Sequence, residues 1–211
     1  MNYLAHMVLG QVHGLDEEGV VGNFIGDAVK GRHVEREWGV AIGRGIRFHR
    51  ALDATSDSRE ASREARKLLR GACGKWSGVV WDVLADHVLA KHFAELTSCQ
   101  LVDFARSQEA LLERNVERMP ERSQRFFQAM VTHRWLIGYA HESVVDDVLF
   151  AMSRRRDVAG PVALGWEAYV AHREELDALG LSLFEDMKNW ARREVVVGGV
   201  SLTPQFEQLN A

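Results

Sequence analysis

The chain has 211 residues, of which 46% are hydrophobic and 27% charged, and its formal net charge is -4. Those proportions exclude intrinsic disorder and give one domain enough core to fold alone, while the negative balance argues against wholesale nucleic-acid binding. With only 3 prolines, helix is the expected main element, and two cysteines, Cys73 and Cys99, exclude a disulfide framework and fit a reducing cytoplasm.

The N-terminal MNYLAHMVLG lacks a basic n-region and a cleavage site. No apolar run in the chain approaches the ~20 residues of a membrane span, so a cytoplasmic protein off the membrane is expected. Asn2 to Val12 reads as a short helix because Leu4, Ala5, Met7 and Val8 do not alternate strictly. His6 interrupts it, and a lone histidine in an apolar helix is more often a core residue than a ligand. Gly14 to Gly19 reads as an acidic loop. In GNFIGDAVKG, Gly22 to Gly31, the residues Asn23, Asp27 and Lys30 recur at helical spacing, which predicts a short glycine-bounded helix with these side chains on one side. The GxxxxGK[ST] spacing is absent, which rejects a phosphate-binding P-loop.

The stretch Gly45 to Asp57, GIRFHRALDATSD, has neither proline nor internal glycine after Gly45 and suits a helix. His49 and Asp53 lie four apart, so their side chains share one face. Asp57 extends that line, although Thr55 to Ser58 reads as a helix end. Arg47 and Arg50 flank the face with forked donors suited to phosphate oxygens. An imidazole and carboxylates on one face can hold a divalent metal, although on this stretch alone ordinary surface ion pairs account for the pattern.

Arg59 to Arg70 is an amphipathic helix with Arg59, Arg63, Arg66, Lys67 and Arg70 at steps of three and four. It is either a solvated surface or a basic docking face. Val79 to Leu96 reads as one strongly apolar helix in which Asp82, Asp86, His87, Lys91 and His92 are set. Such groups are costly to bury unless they pair or bind a metal, so Asp86-His87 is a metal signal. Leu101 to Met119 and Arg122 to Met130 read as helices divided at Pro120, followed by Trp135 to Tyr139 and Ser143 to Met152. The cationic cluster Arg154-Arg155-Arg156 comes next, then helices over Val162 to Leu179 and Leu183 to Arg193. The β-prone run from Val195 to Val200 reads as an edge contact or as part of a tail, residues 194–211. Candidate ligands on separate N-terminal helices predict an all-α, single-domain bundle whose faces converge. The absence of GxSxG and of GxGxxG after a strand leaves hydrolase-triad and dinucleotide-binding readings without support.

Asn2-Tyr3-Leu4-Ala5-His6, Gly22-Asn23-Phe24-Ile25-Gly26-Asp27 with Lys30-Gly31, Gly45 to Arg50 with Asp53 and Thr55-Ser56-Asp57, and Asp86-His87 with Lys91-His92 occur in order. With Met152-Ser153-Arg154-Arg155 they resemble the acyl carrier protein phosphodiesterase family over roughly residues 1–156. The resemblance implies an all-α, HD-domain-like phosphohydrolase in which His and Asp side chains bind a divalent metal. Manganese is the usual metal, with magnesium or iron(II) as alternatives. It implies hydrolysis of the phosphodiester joining 4′-phosphopantetheine to the serine of holo-acyl carrier protein. Beside it, a phosphohydrolase of nucleotides or small phosphoesters and a non-catalytic helical binding module remain as readings of the residues. The chain departs from the standard HD pattern in that Asp27 follows Gly26 rather than histidine.

With that chemistry, His6, Asp27, His49 and Asp86 are the expected metal set and Asp53 an orienting or additional ligand. Lys30 and Arg47 are expected on the phosphate, and His87 as general acid or, held by Asp86, as a ligand. Arg59, Arg63, Arg66 and Arg70, together with Arg154, Arg155 and Arg156, are candidate docking residues for an acidic carrier protein.

Overall fold

The computed structural model describes residues 1–154 and 160–197, and all regular structure among them is helical. Helix α1 (Tyr3–His13) stops at Gly14, whose φ of 79° is a left-handed conformation that glycine adopts without a steric penalty. The acidic loop is shorter than expected. Asp16 accepts a 2.8 Å hydrogen bond from the Gly19 amide and starts α2 (Glu17–Ile25). That helix ends before Asp27, so Asn23 and Asp27 do not share a helix, contrary to their spacing. Asn23 is buried inside α2, and Asp27 sits in the turn beyond it.

After a short α3 (Val34–Trp38), α4 (Val40–Ser58) carries the whole Gly45–Asp57 stretch. Extended backbone at Arg59 separates it from α5 (Glu60–Cys73), which buries Ala65, Leu69 and Cys73 and turns its arginines outward. Helix α6 (Ser77–Lys91) buries residues nearly all round, including Trp81, Leu84, Ala85 and Val88, which explains its lack of a clear polar stripe. It stops five residues before the expected Leu96. His92 leaves helical geometry and α7 (Phe93–Thr97) follows.

The rest comprises α8 (Leu101–Arg114), α9 (Glu121–Thr132), α10 (Trp135–Gly138), α11 (Glu142–Ser153), α12 (Gly165–Ala171) and α13 (Arg173–Val197). The helix expected over Val162 to Leu179 breaks at His172, and the β-prone valines 195–197 continue α13. Residues 198–211, most of the expected tail, lie outside the described residues. One hydrophobic core unites these helices, with Leu4, Leu9, Ile25, Ile46, Leu52, Leu84 and Phe184 all at most 1% exposed. Each such side chain contributes roughly 1.5–3 kcal/mol by leaving water. No helix among the described residues is long and apolar enough to cross a membrane.

Close contact between α2 and α4 positions the candidate site. A side-chain carbon at Gly22 would overlap the Ile42 carbonyl, and one at Gly45 would overlap the Gly19 carbonyl. Glycine lets the two backbones touch, bringing Asn23 and the Asp27 turn against the face of α4 that carries His49 and Asp53.

Candidate active site

A cleft of about 290 Å³ opens between α1, α4, α6 and the end of α11. Its polar lining comprises His6, His49, Asp27, Asp53, Asp57 and Asp82, with Met1, Asn2, Tyr3, Val79, Val83 and Met152 completing it. Among the described residues, no lysine or arginine side chain lines it. His6 Nε2 lies 2.9 Å from Asp53 Oδ1, and His49 Nε2 lies 3.2 Å from Asp53 Oδ2 and 3.3 Å from Asp27 Oδ1. The two imidazole centroids are 4.2 Å apart.

The tautomer of His6 is set by its neighbour. Asn23 donates its Nδ2 to the His6 carbonyl at 2.7 Å, which leaves its Oδ1, 3.2 Å from His6 Nδ1, as an acceptor. The His6 proton therefore belongs on Nδ1, and the Nε2 lone pair faces Asp53. Burial holds the His6 pKa below its usual range against the pull of Asp53, so the ring is neutral. Burial would raise Asp53, but the His49 imidazole against it holds it well below the ordinary carboxylate range. A lone pair 2.9 Å from a carboxylate oxygen is repulsive unless a cation lies beside both. Burial likewise opposes a charge on His49, but Asp27 and Asp53 override it and raise its pKa to about 9. The proton on His49 Nε2 is thus the positive charge that the carboxylates retain when no metal takes its place.

These donors fit a divalent ion. Ligand atoms ~2.0–2.2 Å from one ion and at right angles about it lie ~3 Å apart, matching the separations of 2.9–3.3 Å around Asp53. Ligand atoms of His6, His49 and Asp53 all fall within 4.8 Å of one another. The Asn23 contact to Nδ1 is the outer-shell partner that a metal-ligating histidine usually has. A mixed imidazole and carboxylate set suits manganese, iron or zinc without singling one out.

A profile described as acyl carrier protein phosphodiesterase matches residues 1–187. The chain belongs to the acyl carrier protein phosphodiesterase family. It is 30% identical over 197 residues to the acyl carrier protein phosphodiesterase of Yersinia pestis, a match covering 93% of this chain and all of that one (100%). The protein of the same name from Pectobacterium atrosepticum is 29% identical over 195 residues, covering 92% and 99% of the two chains. One from Escherichia coli is 27% identical over 203 residues, covering 93% and 100%. No solved structure matches the chain, so likeness to HD-domain proteins rests on the sequence resemblance.

Of the residues expected to serve an acyl carrier protein phosphodiesterase, the structure gathers His6, Asp27, His49 and Asp53 and separates the others. Asp86 requires correction as a metal ligand. It is fully buried and accepts from the amides of Asn2 (3.2 Å), Leu4 (2.7 Å) and Ala5 (3.3 Å), capping α1 from α6. Burial pushes its pKa up to about 7 against those donors. His87 also requires correction. One residue further round α6, it bonds the Tyr139 carbonyl through Nδ1 at 2.7 Å and meets Trp166 and Tyr169 edge-on. Buried there, away from the cleft lining, it cannot protonate a leaving group in the cleft.

The two expected phosphate contacts also lie outside the cleft lining. Arg47 is exposed on the outer side of α4 and grips Glu35 through Nε and, at 2.7 Å, through Nη2. Exposed Lys30 turns its Nζ to the Asp27 carbonyl at 3.3 Å. Arg50 instead clasps the loop after Asp27, donating to the Gly31 and Val29 carbonyls at 2.7 and 2.9 Å. Helical spacing singles out Asn23 and Asp82 without assigning either a role. Asn23 orients His6, and Asp82 accepts from the Met1 amino group at 2.8 Å on the cleft wall.

Along α5, Arg59 pairs with Asp186 at 3.1 Å, Arg63 reaches the Ser58 carbonyl and Arg66 holds Asp57 at 3.3 Å on the cleft rim. Arg70 is exposed, as is Arg154, which lies 5.9 Å from the Phe150 ring centre. Arg155 and Arg156 lie outside the described residues.

Proposed function

We propose that this chain hydrolyses the phosphodiester between 4′-phosphopantetheine and the carrier serine of holo-acyl carrier protein, giving apo-carrier protein and 4′-phosphopantetheine, with a divalent cation in the cleft. Family membership supports the reaction class. The observation that carries the metal requirement is the convergence of His6 Nε2 and His49 Nε2 on the Asp53 carboxylate at 2.9 and 3.2 Å, with Asn23 Oδ1 against the other nitrogen of His6. A second support is the local charge: Asp27 and Asp53 bring two carboxylates against the single imidazolium of His49, a surplus that would repel a phosphodiester anion unless a further cation offsets it.

His6, His49 and Asp53 would hold the ion, with Asp27 as a further ligand or as the acceptor that orients His49. When bound, such an ion acidifies water, polarises a phosphoryl oxygen and offsets charge that develops in the transition state. Around it, Asn23 keeps the His6 proton on Nδ1, and Asp86 fixes the start of α1 so that His6 stays in register. Arg50 pins the loop that presents Asp27. The basic side of α5 borders the cleft through Arg66 and Asp57 and suits the approach of an acidic carrier protein.

The test is intact-mass analysis of holo-carrier protein incubated with this protein, with manganese or with chelator. Loss of the phosphopantetheine mass with manganese and its retention with chelator is expected. Unchanged holo-carrier protein under both conditions would refute the reaction, and equal cleavage under both would refute the metal requirement.

A further inference from the structure

The cleft has two chemically different walls. One carries His6, His49, Asp27, Asp53 and Asp57. The other offers hydrocarbon beside one ion pair: Val79 and Val83 stand one turn apart on α6, Met152 lines the cleft from the end of α11, and Asp82 between the valines is paired with the Met1 amino group at 2.8 Å. Neither the metal cluster nor its outer contacts use this second wall. Val79 and Met152 are half-buried, so a ligand against them meets hydrocarbon, and Val83, 1% exposed, backs them. At about 290 Å³ the cleft holds a phosphodiester and the few atoms next to it, less than a whole phosphopantetheine arm.

The atoms next to the phosphorus decide what such a wall selects. In the phosphopantetheine group the phosphate-bearing methylene joins a quaternary carbon carrying two methyl groups. In a nucleotide diester the corresponding positions belong to a ribose bearing oxygens, which Val79 and Met152 would leave without hydrogen-bond partners. We infer that Val79, Val83 and Met152 form the subsite for the branched alkyl carbon beside the phosphate, making this cleft selective for pantetheine-type phosphodiesters. The inference rests on the proposed reaction, and it assigns a specificity role that the reaction alone does not require. Methionine, flexible and polarizable, suits a wall that closes over a branched group.

Calorimetry on manganese-loaded protein tests this with two probes, 4′-phosphopantetheine and ethyl phosphate, which share the phosphate and differ in the branched carbon and the amide arm beyond it. Wild type is expected to prefer 4′-phosphopantetheine by ~10-fold or more, the scale of small apolar groups in such pockets. Val79→Thr keeps the side-chain shape but adds a hydroxyl, and Met152→Gln puts an amide at a half-buried helical position. Each should cut the preference several-fold through weaker 4′-phosphopantetheine binding, with ethyl phosphate affinity retained. A preference unchanged in both variants, or an equal loss for both probes, overturns the subsite. Wild type that fails to cleave holo-carrier protein would instead remove the proposed reaction and the inference with it.

Discussion

With its carboxylate holding the Asn2, Leu4 and Ala5 amides, Asp86 anchors the start of α1, and α1 carries His6 one turn further on. Asp86→Ala would leave the buried Leu4 and Ala5 amides and the half-buried Asn2 amide without this partner, so a loss of roughly 2–4 kcal/mol in urea unfolding is expected. A loss of activity with unchanged stability would instead return Asp86 to the metal set. The titration of Asp86 gives a second check. An unfolded aspartate titrates near 3.8, whereas burial raises Asp86 to about 7. Between those values the folded chain holds a proton that the unfolded chain lacks, so this group's contribution to stability falls as pH rises from about 4 to about 7 and then levels. Asp86→Asn removes that slope, so the stability of wild type relative to the variant should decline across the same window. A flat difference would contradict the assignment. The His49–Asp53 pair is legible in the sequence because four-residue spacing on a helix forces the side chains together. The role of Asp86-His87 is not, because apolar surroundings show that a polar group needs a partner but not which one. Here backbone amides and a carbonyl serve, from residues more than 50 positions away.

The elements that frame the site are set by glycine as much as by its polar residues. Gly26 has helical dihedrals (φ -51°, ψ -41°), so its requirement is purely steric: an added carbon would overlap the His49 ring. Gly26→Ala should therefore displace the imidazole, costing about 1–3 kcal/mol as overpacking and lowering activity well beyond that loss of stability. Full activity with ordinary stability would show that the ring has room to move. Helix identity is readable from periodicity and scarce proline, and most core helices fall where expected. Their ends are not readable. α2 stops before Asp27 and α6 stops at Lys91, where tertiary contacts override a pattern that would carry each helix further. The closeness of α2 and α4 is present in the sequence only as glycines whose partners sit on another helix.

Across the whole molecule, the proposed function requires a chain of net charge -4 to receive an acidic protein at a cleft lined by carboxylates. The arginines beside and along α5 and the proposed cation would make this feasible, although Arg59 and Arg66 are already paired with Asp186 and Asp57. Screening shortens from ~10 Å at 0.1 M salt to ~3 Å at 1 M, so added salt should raise KM for holo-carrier protein more than it lowers kcat. Arg63→Ser with Arg70→Ser should raise KM at low salt and flatten that dependence. A salt-independent KM would place docking elsewhere. If one divalent ion sits among His6, His49 and Asp53, as proposed, manganese affinity measured by electron paramagnetic resonance depends on these side chains. Tight binding is expected for wild type and for Asp86→Asn, and affinity lowered by ~10–100-fold or more in His49→Ala and in Asp53→Ala. The double variant should lose little beyond the worse single. Wild-type affinity in both His49→Ala and Asp53→Ala, or its loss only in Asp86→Asn, would contradict that placement of the ion.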